Sequence, residues 1–114
     1  MTPQETFNTV VAHLRKQGCK ALDMGDCVYR TVDGLKCAAG CLIPDADYKP
    51  EFEGLSISTF NGENIVCDYF KKLEYDINLI KELQEIHDCY DPSFWETRFK
   101  ALAAKRHLVF EEKS

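Results

Sequence analysis

The apolar and polar residues follow a helical period most regularly at the start of the chain. Thr2 can cap a helix, a proline follows it, and Glu5 lies three residues after the cap. This order is typical of a capping box, and Gly18 is placed to end the helix. The pattern therefore predicts an amphipathic helix over residues 3–17. Its apolar stripe consists of Phe7, Val10, Val11 and Leu14.

The same spacing predicts three helices in the second half of the chain. One stripe runs over residues 63–73 and another over residues 76–89, and Asp91-Pro92 caps and opens the last helix. A final apolar run at residues 108–110 predicts a short strand or an extended tail on the core. The inward positions of the three helices are Ile65, Val66, Tyr69, Phe70 and Leu73, then Ile77, Ile80, Leu83 and Ile86, then Trp95, Phe99 and Leu102.

Two predictions compete between residues 27 and 43. Residues 27–30 have the composition of a short strand, and Asp33-Gly34 is a strong turn signal, so a hairpin would bring Arg30 opposite Cys37. Alternatively, residues 37–43 form a short helix. We favour the helix because two alanines and a leucine lie before a proline stop, and the small side chains of residues 38–40 indicate close packing against another helix.

The middle of the chain is irregular, with one alternating segment. Leu55, Ile57 and Thr59 alternate with serines, which predicts a short strand that pairs with residues 27–30. Together these elements predict a single domain over residues 1–114. Its class is α+β, mainly α, with four to five helices and a small two- or three-stranded antiparallel sheet.

Composition narrows the class of protein. The chain is 45% hydrophobic and 29% charged, with a net charge of −5 and dispersed basic residues. Direct nucleic-acid binding is not expected, because it needs clustered lysines and arginines. We expect no membrane span and no export signal, which predicts a cytoplasmic protein with reduced cysteines. No cofactor is indicated.

The cysteines suggest two kinds of chemistry. Cys27, Cys37 and Cys41 are candidate zinc ligands, although their spacing lacks a C-x-x-C pair, and buried thiols are the favoured alternative. Cys37, near the start of the proposed short helix, is also a candidate nucleophile because a helix N-terminus favours a thiolate.

Five other residues are candidates for binding. Tyr48 and Phe52 lie in an acidic loop, and exposed aromatic residues there would suit a protein partner. His87 and Asp88 end a predicted helix and, with Arg30, would line a pocket. Alternatively, the helix dipole alone explains a charged histidine at that end.

The segment from Leu35 to Asp45, which contains a Cys-Ala-x-Gly-x-Leu-Ile-Pro-Asp core, resembles a group of small uncharacterised bacteriophage and bacterial proteins. The similarity continues to Trp95. It implies a phage protein acting in the host bacterial cytoplasm, and it transfers no catalytic residues.

The leading hypothesis is a non-catalytic binding protein that inhibits a host protein or sequesters a small ligand, in counter-defence or host takeover. A homo-oligomer is compatible with it. The alternatives are a small enzyme that acts on a nucleotide-like substrate through Cys37 or His87 and Asp88, and a zinc-stabilised structural module.

Overall fold

The computed structural model describes residues 1–55, residue 57 and residues 64–113. It confirms the expected class: α+β, mainly α, with a small antiparallel sheet. Within the described residues, the helices are α1 (Pro3–Gln17), α2 (Ile65–Lys72), α3 (Ile77–Cys89) and α4 (Trp95–Arg106), and the strands are β1 (Leu22–Asp23) and β2 (Asp26–Cys27).

The predicted cap of α1 is confirmed. The Thr2 hydroxyl accepts the Glu5 backbone N–H at 3.1 Å, and the Glu5 carboxylate accepts the Thr2 N–H at 2.9 Å. Gly18 ends the helix with a φ of 70°, the left-handed conformation that glycine adopts most readily. Because both ends are set by local hydrogen bonds, the predicted bounds agree with the observed ones.

The later helices also begin at capping side chains. Asn64 caps α2 and Asp76 caps α3, each by accepting the backbone N–H three residues ahead. Asp91 caps a 3₁₀ turn, Pro92–Phe94, which leads into α4. The predicted last helix therefore starts with a tighter turn, and the predicted start of α2 at residue 63 lies outside the described residues.

The segment between α1 and α2 differs from the prediction. β1 and β2 form a hairpin in which Leu22 pairs with Cys27, so the strand predicted over residues 27–30 ends early. A second hairpin follows, with Arg30 paired to Lys36 and not to Cys37. The helix predicted over residues 37–43 is wrong, because this stretch contains only a 3₁₀ turn at Gly40–Leu42.

Gly40 explains why small side chains occur here. A Cβ atom on Gly40 would lie 2.1 Å from the carbonyl oxygen of Tyr29, inside any allowed contact distance. Gly40 therefore packs against the backbone of the second hairpin. The 3₁₀ turn that begins at Gly40 also packs against α1, as the small side chains predicted. Tyr29 is buried at this contact.

The strand predicted around Leu55, Ile57 and Thr59 is only partly described. Residues 56 and 58–63 lie outside the described part of the chain, and Leu55 and Ile57 are not in a strand. The Tyr29 hydroxyl donates to the carbonyl oxygen of Leu55, so the two segments do meet.

The helices enclose one apolar core, and a C-terminal tail closes it. Gln4 holds this tail along α1 by accepting the Val109 N–H at 2.8 Å and donating to the Val109 carbonyl at 3.0 Å. Among the described residues, no helix is long and apolar enough to cross a membrane. The fully buried large apolar side chains are Phe7, Val10, Leu14, Ile43, Val66, Phe70, Leu79, Ile80, Leu83 and Phe99.

Candidate functional site

A buried histidine lies where the end of α3 meets the β1–β2 hairpin. His87 is 0% exposed, and its Nε2 accepts the Ala21 backbone N–H at 3.0 Å. Its Nδ1 lies 2.6 Å from an Asp88 carboxylate oxygen. Because Nε2 is an acceptor, the ring is neutral and carries its proton on Nδ1, which donates to Asp88. The predicted charged histidine at a helix end is therefore replaced by a neutral one in the core.

Trp95 covers the other side of this histidine. The two rings stack with centroids 5.7 Å apart and an angle of 27° between their planes. The Trp95 indole N–H donates to the Tyr90 carbonyl at 3.1 Å. The stacking of His87 on Trp95 connects α3 to α4 and helps to exclude water from His87.

Asp88 organises a wider hydrogen-bond network. The oxygen that faces His87 also accepts the Gln84 side-chain amide at 2.8 Å, and the Cys27 sulfur lies within 4.8 Å of the same carboxylate. At its other end, Gln84 accepts the Ala39 backbone N–H at 2.9 Å. One carboxylate thereby links α3, the first hairpin and the segment that precedes the 3₁₀ turn.

The same carboxylate affects the Cys27 thiol. Burial is the main cause that raises the pKa of Cys27 to about 11, and the negative charge of Asp88 and its hydrogen bond add to it. A thiol with such a pKa is protonated at neutral pH. It is therefore a poor nucleophile.

A cavity of about 480 Å³ opens beside Asp88. We call it the Asp88 cleft. Its apolar wall consists of Val28, Tyr29, Leu55 and Ile57. Its charged lining consists of Glu53, Lys81, Glu85 and Asp88. Three carboxylates and one lysine give the cleft a negative potential.

Glu53 holds the wall of the cleft in place. Its carboxylate accepts the backbone N–H groups of Tyr29 at 2.9 Å and Arg30 at 3.2 Å, and the Tyr48 hydroxyl at 2.6 Å. The two backbone bonds attach the second hairpin to the turn that carries Glu53, and the third attaches Tyr48 to the same carboxylate. The wall is thus preorganised before any ligand arrives.

Arg30 and the predicted aromatic residues form a separate cluster. The Arg30 guanidinium donates to the Ile43 carbonyl at 2.6 Å, pairs with Asp45 at 2.8 Å and lies 4.6 Å from the centre of the Tyr48 ring. Phe52 is 2% exposed, so the expectation of an exposed aromatic ring there is wrong. Its ring packs edge-on against Tyr48.

The structure separates most of the residues that were predicted to act together. Asp88 lines the cleft, but His87 is buried beneath it and the Arg30 guanidinium is engaged elsewhere. The candidates that the prediction missed are Lys81, Gln84 and Glu85 on α3, and Glu53. Gln84 had a signal in the sequence, since it lies one helical turn before Asp88 on the same face of α3.

The cysteines are not gathered into the predicted zinc set. Cys37 is fully buried, and burial raises its pKa well above the usual range of a thiol. Burial also raises the pKa of Cys41 to about 12, and its thiol donates to the Ala38 carbonyl. These contacts argue against Cys37 as a nucleophile.

A different group of possible metal ligands does come together. Within the described residues, ligand atoms of Cys27, His87 and Asp88 lie within 4.8 Å of one another. However, a metal on Nδ1 of a neutral imidazole requires a proton on Nε2, where the Ala21 N–H already points. The hydrogen bonding therefore fits a structural network better than a metal centre.

Comparison with known proteins identifies no relative of this chain. No protein-family model matches the chain, and neither the curated proteins nor the solved structures contain a match.

Proposed function

We propose that this chain is a non-catalytic binding protein that holds a small, positively charged ligand in the Asp88 cleft. The observation that carries this proposal is the lining of the cleft. An apolar wall faces three carboxylates, with Lys81 as the one cationic side chain among the described lining residues.

Size and electrostatics both support a small ligand. Cavities that bind small molecules have volumes of roughly 300–1,000 Å³, and the cleft measures about 480 Å³. Carboxylates in a concave, partly apolar site focus a negative potential, which attracts an ammonium or guanidinium group. The apolar part of such a ligand would lie on Val28, Leu55 and Ile57.

The state of the reactive groups supports binding over catalysis. Burial raises the pKa of the Cys27 thiol to about 11, so it is protonated at neutral pH, and both nitrogens of His87 have partners. Neither group is placed to attack a ligand or to exchange a proton with it.

The resemblance to bacteriophage proteins supports a role in an infected bacterium. Removal of a cationic metabolite would serve counter-defence or host takeover. A lysine or arginine side chain of a host protein carries the same kind of cationic group. The group that binds in the cleft can therefore come from a small metabolite or from a host protein.

A titration monitored by two-dimensional NMR tests the proposal. The ¹⁵N-labelled protein is titrated with pentylamine, pentanol and pentanoate, which share an apolar body and differ in charge. We expect the amine to shift the resonances of cleft residues, and the alcohol and acid to do so far less. Glu85→Gln removes one carboxylate of the cleft and should weaken amine binding roughly threefold to tenfold.

Glu51→Gln is the matched control, since Glu51 is exposed and is not among the residues that line the cleft. Equal responses to all three compounds, or unchanged amine binding in Glu85→Gln, would overturn the proposal. A lysine-rich peptide in the same titration separates the two sources: tighter binding than the amine would assign the cleft to a protein partner.

A further inference from the structure

The charged side chains that α3 contributes to the Asp88 cleft are ordered along the helix axis. Lys81, Glu85 and Asp88 all line the cleft and follow one another by about one helical turn. With a rise of about 1.5 Å per residue, Lys81 lies roughly 6 Å from Glu85 and roughly 10 Å from Asp88 along the axis. Since all three side chains tilt towards the helix N-terminus, they keep this separation. The cleft therefore has a cationic end and an anionic end.

The cation at one end is not neutralised by the protein. Within the described part of the chain, Lys81 forms no ion pair, although Glu85 lies one turn away on the same face. A lysine four residues before a glutamate is the less favourable order for such a pair. The Lys81 ammonium is thus available to an anionic group of a ligand, which it would bind by a charge-assisted hydrogen bond.

The anionic end is placed to receive the cation of the ligand. Asp88 lies in the last turn of α3, where the backbone carbonyl groups carry a partial negative charge. Glu85, like Lys81, forms no ion pair among the described residues. The carboxylate of Glu53, in contrast, already accepts three hydrogen bonds from the protein. An ammonium group would therefore lie nearest to Glu85 and Asp88.

We propose that the ligand of the Asp88 cleft is an ω-amino acid, with its ammonium group at Glu85 and Asp88 and its carboxylate on Lys81. This inference rests on the proposed function and adds an anionic end to the cationic ligand. The methylene chain between the two ends lies on the apolar wall of the cleft, which includes Leu55 and Ile57.

The separation of the charges along α3 determines the length of the ligand. An extended chain advances about 1.2 Å per bond, so the six bonds between the nitrogen and the carboxyl carbon of 6-aminohexanoate span roughly 7 Å. That length falls within the roughly 6–10 Å between Lys81 and the two carboxylates. The two bonds of an α-amino acid span only about 2.5 Å, too little for its charges to reach both ends.

Two matched pairs of compounds test this inference in an NMR titration of the ¹⁵N-labelled protein. 6-Aminohexanoate is pentylamine with a carboxylate added to its far end, and 4-aminobutanoate is related to propylamine in the same way. We expect 6-aminohexanoate to bind roughly threefold to tenfold more tightly than pentylamine. 4-Aminobutanoate should bind no more tightly than propylamine, because it is too short to reach both ends of the cleft.

Variants of Lys81 assign this gain to one side chain. Lys81→Gln should abolish the advantage of 6-aminohexanoate and leave pentylamine binding unchanged or tighter, since a cation is lost from the cleft. Binding of pentylamine also shows that the variant is folded. Lys81→Arg should keep the advantage. Lys113→Gln is the matched control, because Lys113 is exposed and is not among the residues that line the cleft.

Two results would overturn the inference and leave the proposed function intact. In one, pentylamine binds in the cleft and 6-aminohexanoate binds no more tightly. In the other, the advantage of 6-aminohexanoate persists in Lys81→Gln. If neither compound binds, both the proposed function and this inference are rejected.

Discussion

Asp88 shows how one side chain determines the state of its neighbours. It accepts hydrogen bonds from His87 and Gln84, which selects the tautomer of the imidazole. Its negative charge also adds to the burial that raises the pKa of the Cys27 thiol. His87 and Asp88 could be predicted as a pair because they are adjacent in the sequence. Cys27 was grouped with Cys37 and Cys41 as a candidate zinc ligand, because its nearness to Asp88 depends on how the hairpin folds onto α3.

Substitution of His87 should destabilise the folded protein. His87→Phe keeps an aromatic ring but leaves the buried Ala21 N–H without an acceptor. We expect it to lower the free energy of unfolding by about 2–4 kcal/mol in urea denaturation. His107→Asn is the control, because His107 is exposed and asparagine tolerates its φ of 57°. A cost for His87→Phe no larger than that of the control would contradict the described network.

Cys27 should react slowly with alkylating agents. Its pKa of about 11, against an ordinary value of 9.0, leaves roughly a hundredfold less thiolate at pH 8. We expect iodoacetamide to label Cys19 well before Cys27, as measured by mass spectrometry over time. Asp88→Asn should speed the labelling of Cys27, since it removes the negative charge. Equal labelling rates in the parent protein would contradict the raised pKa of Cys27, and an unchanged rate in Asp88→Asn would contradict the contribution of Asp88 to it.

At the scale of elements, the sequence predicted the bounds that local signals determine and failed where long-range contacts determine the conformation. The bounds of α1 and α3 were predictable because their caps and apolar stripes are encoded within a few residues. The segment at residues 37–43 was not, because its conformation follows from packing against the Tyr29 backbone. Its alanines favour a helix only where no such contact intervenes.

Gly40 is the residue on which this packing depends most. In Gly40→Ala, the new Cβ would meet the Tyr29 carbonyl at 2.1 Å, and a backbone atom cannot move aside cheaply. We expect a loss of about 3 kcal/mol or more in the free energy of unfolding. Gly34→Asn is the control for the loss of a glycine without a clash. Nothing lies within 4 Å of a Cβ at Gly34, so the cost of that substitution comes only from its φ of 93°. Similar losses in both variants would contradict the close contact.

On the scale of the whole molecule, several protonated groups make folding sensitive to alkaline pH. Burial raises the pKa of Cys27 to about 11 and those of Cys41 and Tyr48 to about 12. The folded chain therefore retains protons that the unfolded chain loses first. Stability from these groups is complete below their unfolded pKa values of about 9–10 and is lost as the pH rises through the folded values.

Urea denaturation at a series of pH values checks this sign. We expect the free energy of unfolding to fall progressively from about pH 9 upwards. Near neutral pH these groups are protonated in both states, so they leave the free energy of unfolding unchanged there. Cys41→Ala should flatten part of this slope, because it removes one of the groups that titrate. A stability that is constant or rises between pH 9 and pH 11 would contradict these pKa directions.

The Gln4 side-chain amide makes hydrogen bonds to both the N–H and the carbonyl of Val109, so the first turn of α1 and the C-terminal tail are neighbours. A linker of a few residues could therefore join the two ends into a closed ring. New ends could then be opened at the exposed Asp33-Gly34 turn, which gives a circularly permuted protein with the same core. In that protein the covalent order of the helices changes and the second hairpin is opened at its turn, but the residues that line the cleft, at 27–29, 53–55, 57 and 81–89, all lie away from the cut.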